Sequence, residues 1–382
     1  VECYNSKKEQ SPPVIALNGE QLIFSFDDLG PANQDYSYTI EHCTSDWKPS
    51  RINTLDYLKS FSEDRLIDYR ISFNTIQKYT HYELKLPNDQ IAPKIAGNYL
   101  LKVYEDGNMQ KPVISQRIYI TNNTVNVGTE IVPSSQVPDR QRNQKVNFTI
   151  FHSMPIANPY LDLKAVVMQN FDPLTSKLNT KPSFIRQGSL VYNDLTTNDF
   201  AGLSEYRKFD FRSLKFKGEG VSEIYRDSVN SVVLYRDQVN KTPRYTNQFD
   251  ENGSFFIRNN DGRDNRTEAD YASVFFSLNS MPPYPDGSLY VVGRFNNYSL
   301  NNENRLNYVE DRKTFFGSLL LKQGLYDYRY VWVGADGKVY PAEFEGSYFE
   351  TENTYQVLVY YKRPGARWEE LVGYTNVNSV KR

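Results

Sequence analysis

The chain has 382 residues and nearly balanced charge, 44 basic against 46 acidic for a net −2. That length exceeds one ordinary core and predicts two to four domains of roughly 100–150 residues. Its 39% hydrophobic and 24% charged residues exclude a disordered chain, no apolar run approaches the roughly 18 residues of a membrane-spanning helix, and no basic stripe offers nucleic acid an electrostatic footprint.

The opening VECYNSKKEQ (1–10) lacks a charged n-region followed by an apolar h-region, so no signal peptide is expected in it. Cys3 and Cys43 fit no zinc spacing and are open to two readings, one disulfide or two free thiols. Residues 21–29 alternate, with Leu22, Phe24 and Phe26 on one face. Alternating runs follow at 36–42, 80–87, 97–108 and 115–121, separated by Gly30-Pro31, Pro87-Asn88-Asp89 and Asp106-Gly107-Asn108. Short strands with turns at this spacing predict a β-sandwich. Residues 46–79 are less regular and read as a long loop with one short helical turn.

The pattern restarts after residue 128, with strand signals at 145–152, 161–170, 183–194, 211–218, 231–238, 253–259 and 269–278. The stretch SMPPYPDG (280–287), with its clustered prolines, reads as a linker. Beyond it lie SLYVVGRF (288–295), KTFFGSLLLK (313–322), GLYDYRYVWVG (324–334) and TYQVLVYYK (354–362). Gly324 punctuates what reads as a hairpin, and ADGK (335–338) predicts a two-residue turn. Long helices are missing; only 203–209 and 366–372 offer brief helical turns. The expected fold is all-β: three tandem β-sandwich domains of immunoglobulin-like or early-set type, at 1–122, 123–279 and 280–382, the last with a short polar tail.

Candidate chemistry is sparse. His42 and His81 fall in two strands that are able to face each other, but Cys43 points away from His42, leaving a metal pair without a third ligand. Imidazoles paired to backbone or carboxylate are the expectation for both. Serine-nucleophile, phosphate-loop, zinc-protease and nicotinamide motifs are absent from the sequence. The doublets Asp27-Asp28 and Glu369-Glu370 read as solvated faces or turn caps. The polar stretch 247–270 lacks the rhythm of a calcium loop. No catalytic residue, metal or cofactor is therefore expected.

Gly293, Phe295 and Asn296, followed by Gly324, Tyr326, Tyr328 and Tyr330, resemble the glycogen-binding type of carbohydrate-binding module. That resemblance implies an early-set sandwich. A sugar site needs exposed aromatic faces, and Tyr298 and Trp332 are its candidate platform. Polysaccharide binding is thus the alternative function, with burial of Trp332 in the core as the competing reading.

A wider set of segments carries a second resemblance. IEHCTSDWKPS (40–50), DYRISFNTIQKYTHYELKLPN (68–88), AGNYLLKVYED (96–106), TEADYASVFFSL (267–278), GRFNNYSL (293–300) and YFETENTYQVLVYYKRPG (348–365) occur in order. Together they resemble the plug protein family of the Bacteroidota type IX secretion system, from about Val14 to Gly373. The resemblance implies a periplasmic, non-enzymatic protein. Its implied partner is a very large outer-membrane β-barrel translocon, which it closes when no cargo passes. Loops on rigid sandwiches commonly carry binding. The candidate partner interface is Trp47, Lys48, Pro49 and Arg51, with Tyr348, Phe349 and Glu350. For Trp47 a buried anchor is the competing reading.

Overall fold

The computed structural model describes residues 1–31, 34–105 and 107–380; Asp106 of the expected turn lies outside them. The chain is all-β. In the N-terminal sandwich one sheet orders the strands Glu2–Asn5, Leu22–Asp28, Thr80–Leu86 and Tyr69–Ile71. The facing sheet orders Val14–Ala16, Pro112–Thr121, Gly97–Glu105, Tyr36–Cys43 and Asp64–Arg65. Strand side chains alternate between faces, so one residue in two points inward. Leu22, Phe24 and Phe26 meet Tyr38, Ile40, Tyr99 and Leu101 across the gap. Each such buried side chain contributes about 2 kcal/mol relative to exposure. The one helical turn in the irregular stretch is Thr54–Tyr57, capped by Asn53, whose side chain accepts from the Leu55 N–H. Tyr57 anchors that turn in the core.

The middle sandwich is built from two distant stretches. Asn126–Pro133, Asn143–Phe151, Ser189–Tyr192 and Phe184–Arg186 form one sheet, with Asp199–Ala201 beside Asn143–Phe151. The other orders Lys177–Asn179, Leu163–Gln169, Thr354–Tyr361 and Glu370–Asn378. Leu163 pairs with Tyr361 and Gln169 with Tyr355, so strands almost 200 residues apart in sequence are neighbours.

Between them the chain builds a third sandwich, an eleven-stranded sheet over residues 207–340. Arg207–Asp210 and Tyr271–Asn279 lie five strands apart in its order, roughly 24 Å along a flat sheet. Yet the rings of Phe209 and Phe276 are 5.6 Å apart. The sheet therefore folds over, and its two halves face one core that also holds Tyr326, Tyr328, Tyr330 and Trp332.

This architecture departs from the boundaries expected at 279/280. Tyr271–Asn279, on one side, pairs along its whole length with Thr314–Lys322 on the other. The proline-rich stretch 280–287 is a connection inside a sandwich, and the third sandwich is inserted into the second. Local expectations change as well: residues 211–218 form no strand, and the irregular stretch 46–79 contains the strands Asp64–Arg65 and Tyr69–Ile71. Thr314–Lys322 and Gly324–Val333 form no hairpin; their partners are Tyr271–Asn279 and Ser288–Val292 respectively. Gln323 carries the chain from one half of the sheet to the other, its N–H donating to the Asp270 carbonyl and its side chain accepting from the Asp270 N–H, both at 2.8 Å. Val333 pairs with Val339, so residues 334–338 make a loop longer than two residues, with Gly337 at φ +76°. Neither 203–209 nor 366–372 is helical: Arg207–Asp210 and Glu370–Asn378 are strands, the first with Phe209 stacked on Tyr326 at 5.3 Å.

Candidate docking surfaces

The seams between sandwiches hold most of the buried charge. On the outward face of the N-terminal sandwich, Asp27 Oδ1 lies 2.6 Å from His81 Nδ1. Asp27 Oδ2 accepts from Lys322 Nζ at 2.6 Å and from the Tyr271 hydroxyl at 2.8 Å, both on the inserted sandwich. Burial pushes the Asp27 carboxyl up, but His81 and Lys322 outweigh it and hold the group below its ordinary value. Burial lowers Lys322 against the opposing pull of Asp27. The Lys322 ammonium also sits 4.1 Å from the centre of the Tyr79 ring. Nearby, Asp270 accepts from the N–H groups of Ile76 and Gln77.

The other seams repeat the pattern. Arg329 of the inserted sandwich pairs with Asp172 of the middle one, between the rings of Tyr206 and Tyr298. Between the N-terminal and middle sandwiches, Trp47 and Tyr119 pack with Met168, Leu358, Tyr360 and Phe171. Glu369 accepts from the Ser45 N–H at 2.9 Å and pairs with Lys164. Asp27 and Glu369 are thus seam residues and not the solvated faces expected of their doublets, while Asp28 caps a turn through the Gly30 N–H.

His42 and His81 do not face each other. His42 points into the N-terminal core, edge-on to Tyr99 at 5.1 Å, and its Nδ1 lies 2.8 Å from the Ser50 hydroxyl. Burial lowers its pKa to about 4. Cys3 and Cys43 are free thiols on opposite sheets, and burial pushes them up to about 12 and about 11.

Tyr298 and Trp332 are both buried, which corrects the sugar platform. Tyr298 is held in the Arg329 seam, its hydroxyl 3.1 Å from that of Tyr206. Trp332 fills the inserted core against Phe315 and Phe344. Neither ring offers a face to a sugar.

The seven candidate interface residues divide. Lys48, Pro49, Arg51 and Glu350 are exposed. Trp47 is half-buried, edge-on to Tyr119 with the Arg117 guanidinium 4.7 Å from its ring centre. The Tyr348 hydroxyl donates to the Thr242 carbonyl at 2.6 Å, and the Phe349 N–H donates to that of Gln141 at 3.0 Å. Those two residues belong to the return crossing from the inserted to the middle sandwich.

A different surface is more apolar. Tyr69–Ile71 ends the order of its sheet, so among the described residues its outer edge has no strand partner. Tyr69 and Ile71 stand opposite Tyr82 and Thr80, on the face that elsewhere packs into the core. Here the facing sheet does not reach. Ile67, Tyr69, Ile71 and Phe73 are 84%, 47%, 67% and 62% exposed. An edge with free backbone groups and uncovered apolar side chains is a template for another strand. The signal in the sequence is the alternation in IDYRISF (67–73), of which 68–73 also belongs to the family resemblance.

Residues 1–122 match the family described as type 9 secretion system plug protein, first domain. The crystal structure of a hypothetical protein from Parabacteroides merdae superposes with a TM-score of 0.95 at 32% identity, covering 99% of this chain and 96% of that one. A second solved structure, from Corynebacterium diphtheriae, aligns with a TM-score of 0.14 at 8% identity over 98% of this chain and 90% of that one, too low to carry any comparison. No curated protein matches. The matched first domain coincides with the N-terminal sandwich and its exposed edge, and the match to the solved relative runs through all three sandwiches; the chain belongs to the plug protein family of the type IX secretion system.

Proposed function

We propose that the protein acts without catalysis, as a periplasmic stopper that closes the outer-membrane β-barrel translocon of the type IX system by reversible docking. The family gives the role in type IX secretion. The observation that carries the finer reading is the uncovered edge strand Tyr69–Ile71 with its apolar flank. A stopper needs a rigid body and an adhesive face. Buried ion pairs at the seams supply rigidity, and the edge supplies the face. Strand addition gives directional backbone bonds, and a short edge keeps the contact reversible.

The test is co-purification from host outer membranes using tagged chain. Wild type is expected to recover one very large barrel protein. An Ile67→Asp, Ile71→Asp double variant is expected to keep its melting temperature and lose the barrel. Recovery of the barrel by the folded double variant would move docking away from the edge. Failure of wild type to recover any barrel would end the stopper reading.

A further inference from the structure

The three sandwiches meet around a cleft of about 570 Å³, within the usual range for small-ligand sites. Its walls are mixed: Tyr119 from the N-terminal sandwich, Phe171 and Leu174 from the middle one and Leu300 from the inserted one supply apolar surface, among polar groups such as Gln116 and Asn297. Two arginines also line it, Arg117 and Arg294. Among the described residues no aspartate or glutamate does, in a chain with 46 of them.

Other guanidinium groups, at the seams and inside the inserted sandwich, are neutralised. Arg329 pairs with Asp172, Arg207 with Asp237 and Glu345, Arg266 with Glu83, and Arg258 with Glu9. Arg294 is different. Its Nη1 donates to the Gln10 carbonyl at 2.7 Å and the Ser254 hydroxyl at 2.9 Å, and its Nη2 to the Ser11 carbonyl at 3.2 Å. These neutral acceptors fix the side chain and leave its charge uncompensated. Burial lowers its pKa, and the acidic groups nearest it are tyrosines and Cys3, which are neutral at pH 7. Arg117 is exposed, its guanidinium held over the Trp47 ring, and among the described residues it makes no ion pair. Arg294 is half-buried, and a half-buried cation without a counter-charge carries part of the desolvation cost, which a bound anion offsets.

We propose that the junction cleft binds a carboxylate carried on an apolar body, the carboxylate meeting Arg294 and Arg117 and the body filling the space between Tyr119, Phe171 and Leu300. Guanidinium groups suit carboxylates because their paired N–H donors match the two oxygens. Two sources present this chemistry: a free organic acid and the C-terminus of a peptide chain. The site stands apart from the edge strand, so the inference does not rest on the docking reading.

Calorimetric titration of the full chain at pH 7 tests it. The probes are phenylpropionate and acetyl-Phe-Leu-Phe, each beside its neutral amide. At least one acid is expected to bind about tenfold more tightly than its amide, and to weaken as salt is added. Arg117→Gln, an exposed site, is expected to cut that affinity several-fold with an unchanged melting temperature; Arg294→Gln is expected to abolish it. Should Arg294→Gln fail to fold, Arg117→Gln decides. Binding of phenylpropionate alone assigns a free acid, and binding of the peptide alone assigns a chain terminus. No heat from either acid, equal binding of acids and amides, or an Arg117→Gln affinity equal to wild type would each overturn the proposal.

Discussion

A methyl group added at Gly202 would sit 2.0 Å from the carbonyl oxygen of Tyr348 and 2.8 Å from that of Arg142. Both obstacles are backbone, so neither yields as a side-chain tip does. Gly202→Ala is expected to lower stability by about 1–3 kcal/mol, read as a fall in the urea midpoint. His42 carries a pH effect. Its folded pKa, about 4, is depressed below the ordinary 6.5 because burial disfavours the imidazolium. Its contribution is therefore complete above pH 6.5 and is lost as pH falls through the window down to about 4. Between pH 7 and pH 5 the protein is expected to lose about 2 kcal/mol through this group alone. A folded His42→Gln variant should lose that much less over the same range in urea titrations; an equal loss would remove His42 as the cause. Lys322 illustrates the seam. Lys322→Met deprives Asp27 of its ammonium partner in a site where both side chains are almost fully covered, and is expected to cost about 3–5 kcal/mol by chemical denaturation.

At the scale of elements, strand content was legible and strand partnership was not. The alternation of Leu22, Phe24 and Phe26 reports one buried face whatever covers it. The same period appears in Ile67, Tyr69, Ile71 and Phe73, yet those residues are exposed because the opposing sheet stops short. Alternation records which side chains share a face, and only the fold records whether that face is covered. Tyr298 and Trp332 make the converse case: a resemblance to a sugar-binding family proposed a platform, and the Arg329 seam and the inserted core absorbed both rings. Gly324 misled for a third reason. A glycine between two strand signals ordinarily marks a tight turn, but the side chain and N–H of Gln323 before it bind Asp270 and send the chain across the sandwich. Gln323→Ala is expected to cost about 1–3 kcal/mol, because it leaves the buried Asp270 N–H unpaired; a thermal melt checks this.

For the whole molecule, the decisive fact is the insertion. Nothing local in residues 354–361 announces that they complete a sheet begun at residue 163. The proline cluster at 280–287 was the strongest punctuation in the sequence and fell inside a sandwich. A fragment of residues 204–348 retains every strand of the inserted sheet and is expected to fold alone, with a cooperative melt by circular dichroism. A fragment of residues 280–382 lacks Tyr271–Asn279, the nine-residue partner of Thr314–Lys322, and is expected to remain unfolded. Cooperative melting of the second fragment would contradict the insertion.

The two crossings into and out of the inserted sandwich run side by side. The Tyr348 N–H donates to the Leu203 carbonyl at 3.0 Å, the Thr351 hydroxyl donates to the same carbonyl at 2.6 Å, and the Asn353 side chain donates to the Gly202 carbonyl at 2.8 Å. Mechanically this stitches a loop shut at its neck. Tension applied between handles near residues 1 and 380 runs along the backbone of the N-terminal and middle sandwiches, and the closed neck keeps it off the backbone of the inserted one. An optical-trap pulling curve is therefore expected to show the inserted sandwich extending only after the neck has parted, so that the molecule yields last where its largest sheet lies.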